Sequence, residues 1–462
     1  MRLSYHITTY GCQMNVHDSE VMAGLLEDCG YTLAAEPEQA DLIVLNTCCV
    51  RETAEERILG RLGELQRAKR ANPDLILVVA GCLGQEEGAA ERIRRRAAQV
   101  DLIMGTHNLY RLPELVAEVR RRRGAKAAGR REATPAGGPL VEVLPGKGES
   151  VHEGLPIRRE GGVKAWVTIM YGCDNFCSYC IVPYVRGRER SRLPEDVRRE
   201  VEGLAASGYR EVMLLGQNVN SYGSDLEPGP GRSFAGLLRE LDGVPGLLRI
   251  RYTTSHPRNF TDDIIEAVAD SARVCENFHL PAQSGSTRVL GLMNRRYTRD
   301  DYLGLIGRIR SRVAGAGFTT DLIVGYPGET DADFEDTLSL VREARFDSAF
   351  TFAYSPRVGT PAAKLPDQIP AEVKQERLER LIEVQNGVSL EINRAEVGRT
   401  VEVLVEGTAE KAPSSVAGRS RTNKLVIAEP GEGRTVSDLV GREVKVRVER
   451  ATTWSLEGRL VP

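Results

Sequence analysis

Apolar and polar positions along the chain fall into distinct regimes. Over residues 1–120, short apolar runs at Leu3–Thr9, Asp41–Asn46 and Leu75–Ala80 alternate with His17–Cys29 and Glu52–Arg70, where apolar residues recur at i, i+3 and i+4. This βαβαβ alternation predicts a parallel sheet in a Rossmann-like α/β domain. Residues 121–160 are basic, then rich in Gly, Ala and Pro, and read as a linker or mobile loop. Alternation resumes over 161–394, where AWVTIM, EVMLLG, LLRIRYT, NFHLPA, TTDLIVG and SAFTFAY are separated by helical stretches such as Pro194–Ser207 and Asp300–Ala314. Six strand–helix steps predict a barrel or partial (β/α) barrel, with its sites at the mouth formed by the carboxyl ends of the strands. The long amphipathic segment AEVKQERLERLIEVQNGVSLEINR ends this region. From 396 to 462 the period becomes two, in VEVLVEG, KLVIAE, REVKVRVE and WSLEGRLV, which predicts a small antiparallel β-barrel.

Composition adds limits. The chain has 462 residues, 41% of them hydrophobic, enough for several buried cores. Its 62 Lys and Arg face 65 Asp and Glu, for a net charge of −3. Any polyanion site must therefore be a local patch. The N-terminus, MRLSYHITTYGCQ, has no apolar signal-peptide core, and no run approaches the roughly 18 apolar residues of a membrane helix. A cytoplasmic protein with no membrane partner is expected. In that reducing setting nine cysteines, some clustered, point to metal or catalysis before disulfides.

Three of them form Gly172-Cys173-Asp174-Asn175-Phe176-Cys177-Ser178-Tyr179-Cys180, directly after the first barrel strand and so at the mouth. Thiolates are soft ligands suited to Zn or Fe–S centres. A structural zinc needs a fourth ligand, and none of the six histidines lies in this loop; three cysteines on a cubane leave one iron open. A redox CxxC at Cys177–Cys180 is the alternative. Cys12, Cys48 and Cys82 are far apart, yet each ends an apolar run in the same way: TTYGC, VLNTC, VVAGC. If those strands are parallel, all three thiols emerge at the carboxyl edge of one sheet, where open α/β sheets place ligands. They are a candidate second metal site, or else small core hydrophobes. Cys49, Cys29 and Cys275 are read as structural.

The C-x3-C-x-aromatic-C loop resembles the radical S-adenosylmethionine (SAM) superfamily. Its continuation CIVPYVRGRERSR, with GQNVNSYG, HLPAQSGS, DLIVGYPGET and FTFAYSPRVGTPAA, resembles the methylthiotransferases across essentially the whole chain, including a C-terminal TRAM module around GRSRTNKLV. The resemblance implies a tRNA enzyme inserting a methylthio group at C2 of N6-isopentenyladenosine beside the anticodon. It implies a [4Fe–4S] cluster on Cys173, Cys177 and Cys180 that binds SAM, and an auxiliary [4Fe–4S] cluster on Cys12, Cys48 and Cys82. A flavodoxin- or ferredoxin-type electron donor and a monomeric state are expected with it. Family members acting on threonylcarbamoyl-adenosine or on a ribosomal-protein aspartate, and a non-catalytic RNA-binding Fe–S protein, are the competing readings.

Tyr179 is placed to lie near the cofactor adenine or simply to pack the loop. Gln217, Ser255 and Gln283 end apolar runs and are candidates for cofactor hydrogen bonds or for structural roles. In DLIVGYPGE, Gly325 would permit close backbone approach to the adenine, and Glu329 could begin the next helix. Arg120–Arg123 with Lys126, Arg130 and Arg131, and the Arg186–Arg199 segment, are basic stretches, either solvated or facing RNA. Arg419, Arg421 and Lys424 share a Gly/Ser-rich turn and are the candidate phosphate grip.

Overall fold

The computed structural model describes residues 3–48, 52–127, 138–144, 152–159, 161–431 and 433–461, with the helix path alone at 52–55 and 126–127. Cys49, Arg130 and Arg131 lie outside these residues.

The first domain is a six-stranded sheet in which every pairing is parallel. It contains β1 (Ser4–Tyr10), β2 (Thr32–Leu33), β3 (Leu42–Thr47), β4 (Ile76–Gly81), β5 (Leu102–Met104) and β6 (Leu140–Glu142), in the order β2-β1-β3-β4-β5-β6. The near-continuous apolar runs of β3 and β4 follow from burial on both faces. One face packs on Met22 and Leu26 of helix Gln13–Asp28 and on Leu112, Leu115, Val116 and Val119. The other packs on Ile58, Leu62, Leu65 and Ile93.

The stretch read as a linker contributes structure of its own. Leu140–Glu142 adds an edge strand, and the helix Leu112–Ala127 runs into its start. Residues 152–159 form a strap between domains. Arg158 N donates to Glu20 O, Arg159 reaches both Glu20 and Glu200, and Arg192 is held by Glu153 and Glu200. At the crossing, a Cβ on Gly24 would collide with the Pro156 carbonyl.

The second domain has six parallel strands in two three-stranded sheets. β7 (Lys164–Thr168) is followed by a short antiparallel ribbon, β8 (Met170–Tyr171) with β9 (Arg190–Ser191). Then come β10 (Glu211–Leu215), β11 (Arg249–Tyr252), β12 (Asn277–His279), β13 (Gly317–Val324) and β14 (Ser348–Ala353). The sheets run β11-β10-β7 and β12-β13-β14, linked by the parallel bridge Ile250–Val274. This is an open partial barrel, with β7 and β14 as end strands.

The third domain is a closed barrel of β15 (Thr400–Ala409), β16 (Ala412–Ser420), β17 (Leu425–Glu429), β18 (Glu443–Ala451) and β19 (Ser455–Val461), ordered β15-β16-β17-β19-β18. It departs from the expected antiparallel barrel in one pairing, β17 with β19, which is parallel. APSSVAGRS, taken from the sequence as part of a turn, is the strand β16.

This barrel docks on the amino ends of the core strands, the floor opposite the mouth. Arg249 and Arg251, the two largest fully buried side chains, reach into the turn after β16. Arg249 donates to Arg419 O and Glu443, and Arg251 to Ser420 O, Arg421 O and Glu211. Arg421 pairs in return with Glu276, and Lys424 with Asp347.

Arg251→Ala would strand the Glu211 carboxylate, 3% exposed, and uncover two carbonyls. We expect a loss of about 3–5 kcal/mol in denaturant unfolding, the usual cost of removing one partner of a buried pair. Protease cutting near residue 395 should increase with it. Unchanged unfolding would place the dock's stability in its apolar contacts instead.

His256, after β11, is held neutral, its pKa lowered to about 2 by burial and then by Arg295 and Arg258. An unfolded histidine titrates near 6.5, so below that pH the unfolded chain takes a proton that the fold refuses. The associated stability is complete above pH ~6.5 and is lost as pH falls. The stability gap between wild type and His256→Asn should therefore shrink from pH 7 to pH 4. A gap constant with pH would mean the ring takes up its proton as readily in the fold as in the unfolded chain.

Candidate functional site

The parallel register of the first sheet brings the first cysteine triad together. Tyr10 pairs with Thr47 and Thr47 with Gly81, so Cys12, Cys48 and Cys82 follow three adjacent strands at one carboxyl edge. A Cβ on Gly11 would touch the Cys48 Cβ, which shows how closely the first two loops approach. Cys12 is exposed, Cys48 and Cys82 are buried, and all three are reduced. Asn15 and Asn46 brace the edge: Asn15 Nδ2 donates to Asn46 Oδ1 and Thr47 O, while Asn46 Nδ2 donates to Asn15 O.

The second triad lies at the barrel mouth. Gly172, at φ +77°, turns the chain out of β8, and a Cβ there would collide with the Arg188 carbonyl. Gly172 N donates to Gln217 Oε1 at 2.6 Å, so Gln217 anchors the loop backbone. Ser178 Oγ donates to Leu292 O, and Asn294 Nδ2 donates to Phe176 O, which fixes the loop against the segment after residue 291. Burial pushes the Cys173 thiol up to about 11 and Cys180 higher still, with the neighbouring thiols adding to the rise. Without compensating positive charge these groups are neutral thiols.

One positive charge in the loop's surroundings comes from a residue the sequence pattern does not single out. Arg295 is buried, and its Nη1 donates to Cys177 Sγ at 3.4 Å while Nη2 holds Pro281 O. Asn175 Nδ2 donates to Cys173 Sγ at 3.4 Å. The signal in the sequence was only an arginine inside MNRRYT, a segment with no metal-binding pattern.

The remaining candidates divide. Ser255 is buried at the mouth, and its Oγ finds no hydrogen-bond partner among the described residues. Such an orphan is what a polar ligand would satisfy. Gln283 has φ +71° and is tied through its backbone to Asp321 and Ile323. Tyr179 packs at the edge of a cluster of Val289, Met293, Tyr326 and Tyr354. At Gly325 the close neighbour is the Lys374 stem, so the need for glycine is met within the chain. Glu329 precedes the helix Asp331–Ala344 and bonds Gly325 N and Arg377. Of the turn expected to grip RNA, Arg421 and Lys424 are spent on the dock, while Arg419 Nη1 bonds Asn423 O.

The segment that follows the second triad packs on one cysteine of the first. Helix Val182–Val185, which follows Cys180, packs Val185 and Ile181 on Cys82, and Thr106 Oγ1 donates to Val185 O at 2.5 Å. Among the described residues neither triad is already gathered into a metal-holding group. The donor sets nonetheless fit iron–sulfur chemistry in kind, with three soft thiols on each side and a buried guanidinium beside each, Arg295 and Arg186.

Comparison with known proteins agrees with this architecture. The profile of uncharacterized protein family UPF0004 matches residues 4–105, that of the radical SAM superfamily 167–341 and that of the TRAM domain 394–461. The tRNA-2-methylthio-N(6)-dimethylallyladenosine synthase of Carboxydothermus hydrogenoformans is 52% identical over 458 residues, 99% of either chain. That of Moorella thermoacetica is 53% identical over 461 residues, 100% of this chain and 99% of its own. Among solved structures, the radical S-adenosylmethionine methyltransferase TsrM from Kitasatospora setae matches with a TM-score of 0.55 at 17% identity, over 79% of this chain and 77% of its own, a likeness of fold. With similarity of this extent along its full length, the chain belongs to the tRNA-2-methylthio-N(6)-dimethylallyladenosine synthase family, a methylthiotransferase family of the radical SAM superfamily.

Proposed function

We propose that this protein adds a methylthio group to C2 of N6-isopentenyladenosine next to the anticodon of tRNA, with Cys173, Cys177 and Cys180 holding the radical cluster and Cys12, Cys48 and Cys82 a second [4Fe–4S] cluster. When bound, SAM and the radical cluster supply the 5′-deoxyadenosyl radical that an inert aromatic C–H requires, and the second cluster supplies the sulfur. The observation that supports the reading is the packing of Ile181 and Val185, which follow Cys180, directly onto Cys82 of the other triad.

The chain's own residues have separable tasks in this scheme. Gln217 and Asn294 hold the cluster loop in shape. Arg295 offsets thiolate charge at Cys177. Ser255 offers a buried hydroxyl to the cofactor, with Tyr179, Gln283 and Gly325 as further residues toward it. An electron donor of the flavodoxin or ferredoxin type, a monomeric state and a cytoplasmic location complete the proposal. No helix among the described residues is long and apolar enough to cross a membrane.

Two experiments test it. Anaerobic reconstitution should load about eight irons, and replacing either triad with Ala should leave about half. The Cys12/Cys48/Cys82→Ala protein should still release 5′-deoxyadenosine from SAM but yield no methylthiolated nucleoside by mass spectrometry. Unchanged iron in that variant would remove the second site.

The second experiment separates RNA contact from docking. Arg419→Ala should flatten the salt dependence of tRNA binding by about one unit of slope, as for one lost phosphate contact. Arg421→Ala and Lys424→Ala should instead lower stability. A salt slope unmoved by Arg419→Ala would transfer the grip to the exposed arginines of the segment after the cluster loop, Arg188, Arg198 and Arg199.

A further inference from the structure

One guanidinium at the seam between the first domain and the barrel mouth exceeds what holding two domains together requires. Arg186 lies just after helix Val182–Val185 and is 5% exposed. Its Nη2 donates to Asp18 Oδ2 at 2.8 Å, and both side chains are almost fully buried. Asp18 sits on the helix that starts directly after Cys12. Besides Asp18, the groups that act most on the guanidinium are Cys82 and then Cys12. From the loop after β5, His107 faces the same place. It is kept neutral, with a pKa near 4, by burial and by the positive charges of Arg190 and Arg186. Its Nε2 has no hydrogen-bond partner among the described residues. Arg190 stands behind, its Nη2 donating to the Arg186 carbonyl.

The pair fixes the register of the seam, as other buried pairs in this chain do, but it also leaves a charge beside the thiols. A buried ion pair contributes little net stability, and apolar residues of the same volume would close the seam at least as well. What the pair adds is a fixed positive charge carried by the radical domain into the thiol edge of the other domain. A cluster held by three thiolates becomes more negative on reduction, and nearby charge and hydrogen bonding are the levers that set its potential.

We propose that Arg186 is a positioning residue for the second cluster: aimed by Asp18, its guanidinium reaches across the domain seam to compensate the charge of the site formed by Cys12, Cys48 and Cys82. The auxiliary site is then complete only when the two domains are closed on each other, and its electronics depend on a residue of the neighbouring domain. This rests on the two-cluster reading above.

The test uses the full chain, reconstituted anaerobically, with Cys173, Cys177 and Cys180 replaced by Ala so that the second cluster alone is observed. Its reduction potential is followed by electron paramagnetic resonance during redox titration, and its iron retention by release to a chelator. Arg186→Met should lower the potential and speed iron release several-fold, and Arg186→Lys should restore much of both. Asp18→Asn keeps the shape of the carboxyl group but frees the guanidinium charge, so it should raise the potential. Shifts of opposite sign from the two sides of one ion pair are what charge compensation requires.

A structural fastener would give shifts of the same sign, or none, alongside lower thermal stability, and either result overturns the proposal. Should the background protein bind no iron before Arg186 is touched, the two-cluster reading fails and the proposal falls with it. That outcome is distinct from a loaded cluster indifferent to residue 186.

Discussion

Charge that is taken out of water must be matched at the point of burial, and in this chain the matches cross domain seams. Arg186 finds Asp18, Arg159 finds Glu20 and Glu200, and Arg192 finds Glu153 and Glu200. At the floor, Arg249 finds Glu443 and Arg421 finds Glu276. Where both members are buried and have no second partner among the described residues, as with Arg186 and Asp18, removing one leaves the other desolvated, which costs far more than the pair contributes. The seams are therefore specific rather than merely sticky. A sliding apolar contact tolerates many registers, whereas these pairs define one.

That specificity matters to the proposed two-cluster reading, in which two separate sheets present their thiols to one space. Parallel strands solve half of the problem. They gather every chain exit at one edge, so β1, β3 and β4 deliver Cys12, Cys48 and Cys82 together, and the first strand of the barrel delivers the Cys173–Cys180 loop to its mouth. Facing the two edges is the other half. The strap at 152–159 and the helix after Cys180 accomplish it with hydrogen bonds and ion pairs addressed to particular residues.

Much of this was legible in the sequence, for physical reasons. Strands buried on both faces are continuous apolar runs, so β3 and β4 stand out, and a cysteine one or two residues after each of three parallel strands has only one edge to occupy. Strand β16 was hidden because its buried positions carry small residues: Gly418 is required where a Cβ would meet the Leu404 carbonyl, and Ser420 faces the dock. β6 is three residues long and lies beyond the helix that follows β5, so no periodicity announces it. Arg249 and Arg251 looked like polar interruptions of an apolar run. Their role depends on carbonyls some 170 positions later in the chain, which no local pattern encodes. For the same reason Arg421 and Lys424 read as a free basic turn. Sequence shows that a charge exists; only the fold shows whether it has already been spent.

The arrangement also constrains how a large RNA can approach. The C-terminal barrel covers the amino ends of the core strands, while the first domain lies along the β7 flank and reaches the loops beyond the carboxyl ends through Asp18–Arg186 and Thr106–Val185. The end strands of the partial barrel, β7 and β14, belong to separate sheets. On β14 the ring of Phe350 is 59% exposed, with His279 against its edge, although neighbouring core aromatics are buried. A base drawn out of a stacked loop needs an aromatic or apolar wall on its way to a buried reacting centre. The flank beside β14, where the partial barrel stays open, carries such a wall.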